Sequence, residues 1–441
     1  MTKRRAVRAA VGRTFSSLRV RNFRYYFAGQ SLSLIGTWMQ SITQSWLVFE
    51  MTHSGTDVGL ITAVQTLPIL VLGPVGGTIA DRFGKYRILF WTQSLAGVQA
   101  GALGVLALTG NLRLWELYAI AFVLGLINMV DNPTRQTFVV EMVGRDNLSN
   151  AVTLSSVTVN AARAIGPAVA GVLIATVGPG WCFAVNAVSF GFVVVALAAL
   201  RKGELTPTPR AQRGRGQLVE GFRYVAHRPL LRNALVMMAV IGLFTYEFQT
   251  TLPLLAGRTF SGNAATYGLL TAAMGVGAVG GGLVAAARRN RSPRRLAHTA
   301  LAFGLVTLAA ALAPSVIAEG IVLLAVGAAS VTFLSLGNAT LQLEADPEMR
   351  GRVMSLWSVS FLGTTPIGGP LVGFVAGTLG ARFGLGLGAI AALGAGVYGW
   401  LVLPRRQPAP TGPAPSVAGH ADPGTARADG VQRLPETARP A

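Results

Sequence analysis

Long, uninterrupted apolar segments are the feature that most limits what this chain can fold into. Of its 441 residues, 51% are apolar and only 12% are charged, about half the charged fraction of an average soluble domain. A helix needs about 20 apolar residues to cross the hydrocarbon core of a bilayer, and segments of that length recur along the whole chain. The sequence therefore predicts an all-α integral membrane protein rather than a soluble one.

Twelve such segments can be delimited, and we predict that each forms a transmembrane helix. A polar stretch at residues 201–231 separates the first six from the last six. Residues 150–171 align without a gap to residues 352–373 with six identities, as expected for an internal repeat of two six-helix halves. The predicted spans are 24–50, 57–80, 87–109, 114–137, 148–176, 179–200, 232–257, 264–287, 295–314, 317–343, 351–378 and 381–403.

The distribution of positive charge predicts the orientation in the membrane. The chain has a formal net charge of +20. With the N-terminus taken as cytoplasmic, 33 Lys and Arg residues lie in or beside the cytoplasmic segments, and only Arg113, Arg258 and Arg382 lie in the outer loops. Because cytoplasmic loops of membrane proteins are enriched in Lys and Arg, we expect a multi-pass protein of the cell (inner or plasma) membrane with both termini cytoplasmic. The basic balance then gives no reason to expect a nucleic-acid partner.

The polar segments divide the chain into five predicted regions. They are a cytoplasmic N-terminal tail (1–23), an N-terminal half (24–200), a cytoplasmic linker (201–231), a C-terminal half (232–403) and a disordered cytoplasmic tail (404–441). In the linker, Leu218, Phe222 and Val225 share one helical face. This pattern indicates either an amphipathic helix at the membrane surface or a linker helix packed on the bundle.

The sequence predicts neither a metal site nor an enzyme. A single Cys and four scattered His residues provide no set with metal-ligand spacing, and no Gly-x-x-x-x-Gly-Lys-Ser/Thr sequence is present for a nucleotide. We therefore expect no metal, no cofactor and no enzymatic activity. A channel stays open as an alternative, since composition alone does not separate channels from transporters.

The loop between the second and third predicted spans carries a recognisable motif. It reads Gly77-Thr-Ile-Ala-Asp81-Arg82-Phe-Gly84-Lys85. It resembles the signature loop of the major facilitator superfamily, Gly-x-Leu-Ala-Asp-Arg-x-Gly-Arg-Arg/Lys. Glycine permits a tight turn between helices, and the Asp can cap a helix or pair with an Arg across the two halves. The resemblance implies the major facilitator fold and a gating role for Gly77, Asp81, Arg82, Gly84 and Lys85.

Further segments resemble the enterobactin exporters and the macrolide or multidrug efflux proteins of that superfamily. They are residues 131–143, 147–151, 160–167, 220–225 and 346–356. The resemblance implies a monomeric, proton-coupled exporter of small organic molecules (drug, macrolide or siderophore-like) that works by alternating access in the lipid bilayer. Two departures leave an importer or facilitator as the alternative. Loop 282–289 lacks the Asp, and the antiporter pattern of the fifth span is only partly present.

Ionisable residues deep in a membrane are costly and are therefore candidates for function. Glu247 in span 7 is either a carboxylate that couples transport to protons, or one that is paired with an Arg or satisfied by water at the outer interface. Arg163 in span 5 either binds an anionic substrate or pairs with a carboxylate. Asp131 and Arg135 in span 4 are predicted as a structural pair that, by the resemblance, holds the cytoplasmic gate together with the Asp81 loop.

The resemblance also implies a central cavity lined by spans 1, 4, 7 and 10. Any polar residue there can instead form a helix–helix hydrogen bond, but as a set these residues suggest a large amphipathic substrate site. The candidates, with Arg163 of span 5, are Trp38, Gln40, Gln44, Asn128, Arg163, Tyr246, Phe248, Gln249, Asn338 and Gln342. Positions where helices are predicted to bend or pack closely are Gly166, Pro167, Gly368, Gly369 and Pro370.

Overall fold

The computed structural model describes residues 16–206, 217–287 and 292–404, and the regular structure in these ranges is helical. Residues 1–15 and 405–441, which hold most of both predicted tails, lie outside the described residues, as does much of the linker. Short 3-10 turns cover Ser16–Arg19 and Lys202–Glu204. The helices are α1 (Arg21–Thr52), α2 (Gly55–Arg82), α3 (Lys85–Leu108), α4 (Leu114–Gly144), α5 (Asp146–Val177), α6 (Pro179–Ala198), α7 (Gln217–Ala226), α8 (Pro229–Phe244), α9 (Phe248–Leu254), α10 (Ala264–Ala287), α11 (Arg294–Ala311), α12 (Val316–Glu344), α13 (Arg350–Leu362), α14 (Thr365–Thr378) and α15 (Ala381–Val402).

Within the described ranges, ten helical segments are long and apolar enough to cross a membrane. They are α2 to α6, α8 with α9, α10, α12, α13 with α14, and α15. Helices α1 and α11 lie at the other two predicted spans. Their mean hydropathy is lower because α1 buries several amide side chains and α11 begins with Arg294 and Arg295. The protein is therefore an all-helical, multi-pass chain, and the number twelve stays a prediction.

Short polar residues and glycine determine where several helices begin and end. Ser54 caps α2 by accepting a hydrogen bond from the Asp57 N–H at 3.2 Å, and Ser315 caps α12 in the same way. Gly144 separates α4 from α5 with φ 69° and ψ −178°, a conformation that residues with a side chain rarely adopt. The predicted loop at residues 138–147 is thus reduced to a sharp break, because the chain remains helical up to that glycine.

Two of the predicted spans are interrupted rather than continuous. Span 7 breaks between α8 and α9, where Glu247 has φ −85° and ψ 36°, and it ends in a π-helical turn, Leu255–Thr259. Span 11 breaks at Gly363 and Thr364, between α13 and α14. Broken helices are tolerated at membrane depth where neighbouring protein surrounds the freed backbone. An apolar composition does not reveal such breaks, since the residues on both sides remain apolar.

Helices α1–α6, the N-terminal group, and α8–α15, the C-terminal group, meet mainly along two helix pairs. Helix α2 packs against α14, and α5 packs against α10. There is no room for a Cβ at Gly59, which faces the backbone of Gly369, or at Gly171, which faces Gly268. Small residues of this kind let helix backbones approach closely in a membrane. The contact between the groups therefore depends on glycine on both sides.

Specific contacts hold the two groups together at one end of the bundle. We call the end with the Asp81 loop the basic end and the other the opposite end. At the opposite end, Arg258 donates through Nη1 to the Gly377 carbonyl at 2.8 Å and through Nη2 to the His53 carbonyl. Nearer the middle, the Ser41 hydroxyl donates to Oε1 of Gln249 at 3.2 Å. Arg258 thus joins the ends of α1 and α14 across the two groups.

The linker helix α7 packs against the C-terminal group. Phe222 is 68% exposed whereas Val225 is buried, so two residues expected on one face have different surroundings. Glu220 forms an ion pair with Arg352 at 2.7 Å, and Arg228 just after α7 pairs with Asp346 at 2.7 Å. These contacts favour the packed linker helix over a helix that lies free on the membrane surface.

Candidate functional site

Glu247 occupies the break between α8 and α9, and its side chain is only 3% exposed. Its Oε1 is buried without a hydrogen-bond partner, and so is the Thr250 hydroxyl. The hydroxyl groups of Thr250 and Thr365 lie beside this carboxyl group. None of the ion pairs between described residues includes Glu247. The structure thus gives no support to the alternative in which an Arg pairs permanently with this carboxylate.

The Glu247 carboxyl lies directly against the contact between α2 and α14. An added Cβ at Gly368 would be 3.0 Å from Oε1, and one at Gly369 would be 3.4 Å from Oε2. Gly369 in turn faces the backbone of Gly59. We call Glu247, Gly59, Gly368 and Gly369 the Glu247 junction. Because burying an ionised carboxylate without a cation is costly, the charge of Glu247 bears directly on whether the two groups can stay packed here.

Arg163 is the second ionisable side chain that lies between the groups. Its Cζ is 5.0 Å from the centroid of the Trp38 ring on α1, and its Nε is buried without an acceptor. Tyr246, in the break after α8, lies in the neighbourhood of the guanidinium. No ion pair between described residues includes Arg163. The predicted pairing of Arg163 with a carboxylate is therefore not seen in the described part of the chain.

An aromatic surface continues from Arg163 into the C-terminal group. The Tyr246 ring lies 4.7 Å from that of Phe361, which stacks on Trp357 at 5.8 Å. The Trp357 Nε1–H is buried with no acceptor. We call Trp38, Arg163, Tyr246, Phe361 and Trp357 the Arg163 cluster. The sequence analysis missed Trp357 and Phe361, although their spacing of four residues on an apolar helix was a usable signal.

Gly166 explains how α1 and α5 approach closely enough to form this cluster. A Cβ at Gly166 would be 2.7 Å from Trp38 Cβ and 2.8 Å from the Ile35 carbonyl oxygen. Any larger residue would push α1 away from α5, and with it Trp38 away from Arg163. The predicted role of Gly166 and Pro167 in close packing agrees with this placement, and their role in motion stays a prediction.

One of the predicted cavity residues, Gln40, faces the interior of the N-terminal group instead. Gln40 accepts a hydrogen bond from Asn186 at 2.7 Å and donates one to Gln99 at 3.2 Å, which joins α1 to α6 and α3. Gln44, one turn later, is buried and neither its Oε1 nor its Nε2 has a partner. The amide of Gln40 is thus used in helix packing, the alternative weighed for every cavity candidate.

The other cavity candidates are spread over several helices. Gln249 joins the two groups through its bond from Ser41, and Phe248 is buried with its ring 6.5 Å from that of Tyr246. Asn338 and Gln342 bond to each other on α12, and Asn128 is half-buried on α4. The structure therefore pairs Trp38 with Arg163 and Tyr246 with Phe248, and it places Gln249 against Ser41 of α1.

Asp131 lies in a buried polar network inside the N-terminal group. Its side chain is 2% exposed. Oδ1 accepts hydrogen bonds from Thr92 Oγ1 at 2.7 Å and Gln93 Nε2 at 2.8 Å, and Oδ2 lies 3.3 Å from Arg135. These contacts tie α3 to α4. The geometry favours the structural role predicted for the Asp131 and Arg135 pair.

The signature motif covers the last turns of α2 and the first residue of α3, and it contacts a residue that was not singled out. Lys85 forms a largely buried ion pair with Glu141 of α4 at 2.7 Å. Asp81 is half-buried, Arg82 and Gly84 are exposed, and Gly77 is buried. The described ion pairs do not connect this loop to Asp131. The joint action of the loop and Asp131 on a gate stays a prediction.

Glu319 is a second buried carboxyl of the C-terminal group, and the sequence analysis missed it. It is fully buried near the start of α12, and neither of its oxygens has a hydrogen-bond partner. Arg382 acts on it electrostatically. Unlike Glu247, it lies near the opposite end and away from the glycine contacts between the groups. An acidic residue inside predicted span 317–343 was the available signal.

Comparison with known proteins identifies the relatives of this chain. Residues 12–412 match the sequence profile of the family described as "Transmembrane secretion effector". The staphyloferrin A transporter of Staphylococcus aureus is 27% identical over 263 residues, which are 58% of this chain and only 64% of that relative's length. The enterobactin exporter EntS of Shigella flexneri is 28% identical over 362 residues, which are 80% of this chain and 84% of the relative.

A solved structure shows the same fold. It is a bacterial homologue of the human lysosomal transporter Spinster in an inward-facing, unoccupied conformation, with a TM-score of 0.69 and 13% identity over 86% of this chain and 97% of the other. The match to the family profile confirms the resemblance inferred from the signature loop. Since the profile covers nearly all of the helical region, this chain belongs to the transmembrane secretion effector family of major facilitator superfamily transporters.

Proposed function

We propose that this protein is a proton-coupled exporter of small organic molecules that works by alternating access. The observation that carries the proposal is Glu247, a buried carboxyl without a cation at the point where α2 and α14 join the two groups. Membership of the family supports transport, and the names of the relatives, one of them an exporter, support the direction. They also support a siderophore-like compound among the substrate classes, beside drugs and macrolides.

The proposed architecture has twelve transmembrane helices in two halves. Residues 24–200 and 232–403 form the halves, and residues 201–231 connect them in the cytoplasm. The excess of Lys and Arg supports a cytoplasmic basic end with both termini inside. The opposite end, held by Arg258 and by the glycine contacts, then faces outward. The described arrangement corresponds to a state that is closed to the outside, in a protein that acts as a monomer in the bilayer.

Proton binding at Glu247 provides the coupling in this proposal. A neutral carboxyl is compatible with the close contact of Gly369 and Gly59, whereas an ionised one would be buried there without compensation. Protonation from the outside therefore favours closure of the opposite end. Release of the proton toward the cytoplasm, when substrate has bound, favours separation of α2 from α14 and exit of the substrate. A single proton site at the junction thus couples the inward movement of protons to the outward movement of substrate.

The test is an efflux assay in a bacterium that lacks its own exporters. Retention of siderophores, macrolides, tetracyclines and dyes is followed with and without a protonophore, in cells that express wild-type protein, Glu247→Gln or Glu319→Gln. We expect faster loss of one compound class, which the protonophore and Glu247→Gln abolish and Glu319→Gln does not. Accumulation of a compound would instead identify an importer. Movement that never exceeds equilibrium would identify a facilitator or a channel.

A further inference from the structure

The guanidinium of Arg163 is a cation that lacks an anion, on a half-buried side chain whose Nε is enclosed by protein. Nε has no acceptor, and no carboxylate among the described residues pairs with it. Removing a charge from water is unfavourable unless a counter-charge or hydrogen bonds replace the water. The Trp38 ring offsets only part of that cost, since a cation–π contact is weaker than a full ion pair with hydrogen bonds.

The neighbouring carboxylate does not supply the missing charge. Glu247 follows Tyr246 directly in the chain, but its carboxyl lies against Gly368 and Gly369, whereas Tyr246 lies in the neighbourhood of Arg163. The Tyr246 hydroxyl does not supply an anion either, because it is neutral and donates its hydrogen to the Ser330 carbonyl at 2.6 Å. Arg163 therefore retains its capacity to bind an anion from outside the protein.

The rest of the cluster is suited to a flat aromatic molecule. Trp38 comes from the N-terminal group, and Tyr246, Phe361 and Trp357 come from the C-terminal group, so a ligand here would contact both groups. Aromatic faces bind planar molecules by offset stacking, and the buried Trp357 Nε1–H is a free donor. The guanidinium presents parallel N–H groups that match the two oxygens of a carboxylate.

We infer that the Arg163 cluster is a binding site for planar aromatic anions, with Arg163 on the carboxylate and Trp38 beside the ring. The inference rests on the proposed transport function for its physiological meaning, because it names the substrate class of that exporter. A ligand of this class would supply the missing counter-charge and span both groups. Neutral aromatic molecules of the same shape would leave Arg163 uncompensated and bind more weakly.

The test is equilibrium binding to the purified full chain in detergent, with a pair of fluorescent probes of equal shape. Pyrenecarboxylate and pyrenecarboxamide differ only in the charged group, and fluorescence anisotropy measures both affinities without a proton gradient. For wild-type protein we expect the carboxylate to bind at least about tenfold more tightly, the factor that corresponds to 1.4 kcal/mol. Arg163→Gln should remove this preference, and Arg163→Lys should retain part of it.

A matched pair of tryptophan variants tests the aromatic part of the site. Trp38→Leu should weaken both probes, whereas Trp115→Leu, at a ring that is 63% exposed at the start of α4, should weaken neither. Each variant is compared only if it elutes as a single monodisperse peak. Equal affinity of wild-type protein for the two probes, or an undiminished preference in Arg163→Gln, would overturn the inference.

Failure of this inference is distinguishable from failure of the proposed function. If the carboxylate preference depends on Arg163 but efflux does not respond to a protonophore, the anion site stands and the proton-coupled exporter does not. If efflux is proton-driven but neither Arg163 nor Trp38 affects probe binding, the exporter stands and the substrate class is wrong.

Discussion

Asp131 and Glu247 are buried to the same extent, at 2% and 3% exposure, yet their surroundings are opposite. Asp131 accepts two hydrogen bonds and pairs with Arg135, all within the N-terminal group. Glu247 has an oxygen with no partner and lies where the two groups meet. An ionised carboxylate deep in a membrane is energetically costly at either position. Because of its hydrogen bonds and its ion pair, Asp131 holds two helices together, whereas Glu247 lacks a cation and can change its charge.

The backbone shows the same contrast. Asp131 lies within the continuous helix α4, whereas Glu247 lies at the break between α8 and α9 with non-helical φ and ψ. A carboxyl on a continuous helix moves with that helix, but one at a break can shift without unwinding a full turn. The comparison therefore predicts loss of coupling from changes at Glu247 and loss of stability from changes at Asp131.

The largest expected effect is that of Glu247→Gln on gradient-driven transport. Glutamine keeps the size of the side chain but cannot exchange a proton, so uphill transport should fall by about 100-fold, a usual cost of removing a required proton-transfer group. Proteoliposomes with an imposed pH gradient, loaded with the compound that efflux assays identify, provide the measurement. Glu319→Gln is the matched control and should retain coupling. Normal uphill transport by Glu247→Gln would remove the basis of the comparison.

Asp131→Asn should act on stability instead. The variant leaves Arg135 without its carboxylate and weakens the network that ties α3 to α4. Because Arg135 is partly exposed, we expect a loss of about 2 kcal/mol in the free energy of unfolding, below the range for fully buried pairs. Heat-induced loss of the monodisperse peak in detergent measures this change. Unchanged stability together with lost proton coupling would show that Asp131, rather than Glu247, carries the proton.

Gly59→Ala tests whether the glycine contact at the Glu247 junction is part of the transport cycle. The new Cβ would meet the Gly369 backbone, and overpacking of this kind costs about 1–3 kcal/mol. We expect efflux about tenfold slower, equivalent to 1.4 kcal/mol, with normal expression. Gly73→Ala on the same helix is the control, because a Cβ there has no atom within 4 Å. Equal rates for the two variants would show that closure here does not limit transport.

The smallest expected effect compares one hydroxyl in each region. Thr92→Val removes a hydrogen bond to Asp131 and should lower the free energy of unfolding by about 1 kcal/mol. Thr250→Val removes a buried hydroxyl that lies beside the Glu247 carboxyl without a well-formed hydrogen bond, so stability should fall by less. Thermal unfolding in detergent measures both. Equal losses would mean that Thr250 stabilises the Glu247 carboxyl as strongly as Thr92 stabilises Asp131, and that the two regions are more alike than their contacts indicate.

Much of the fold could be predicted from the sequence because insertion in a bilayer depends on properties of single segments. The length and composition of each segment are enough to place helices near the predicted spans, and the motif from Gly77 to Lys85 is enough to indicate the superfamily. The break at Glu247 could not be predicted in this way. It depends on Thr245, whose hydroxyl bonds to the Gly388 carbonyl, and on glycines of α14 far along the chain.

The site residues show the same difference between properties of a single segment and contacts between distant segments. The sequence by itself determined that Asp131, Arg163 and Glu247 are unusual, since a charge within an apolar segment is visible without any structure. Only the tertiary structure decided that Asp131 is paired, that Gln40 is used in packing, and that Arg163 meets Trp38 of a different helix. The physical reason is that the cost of a buried charge is a property of its segment, whereas the groups that compensate it come from residues distant in sequence.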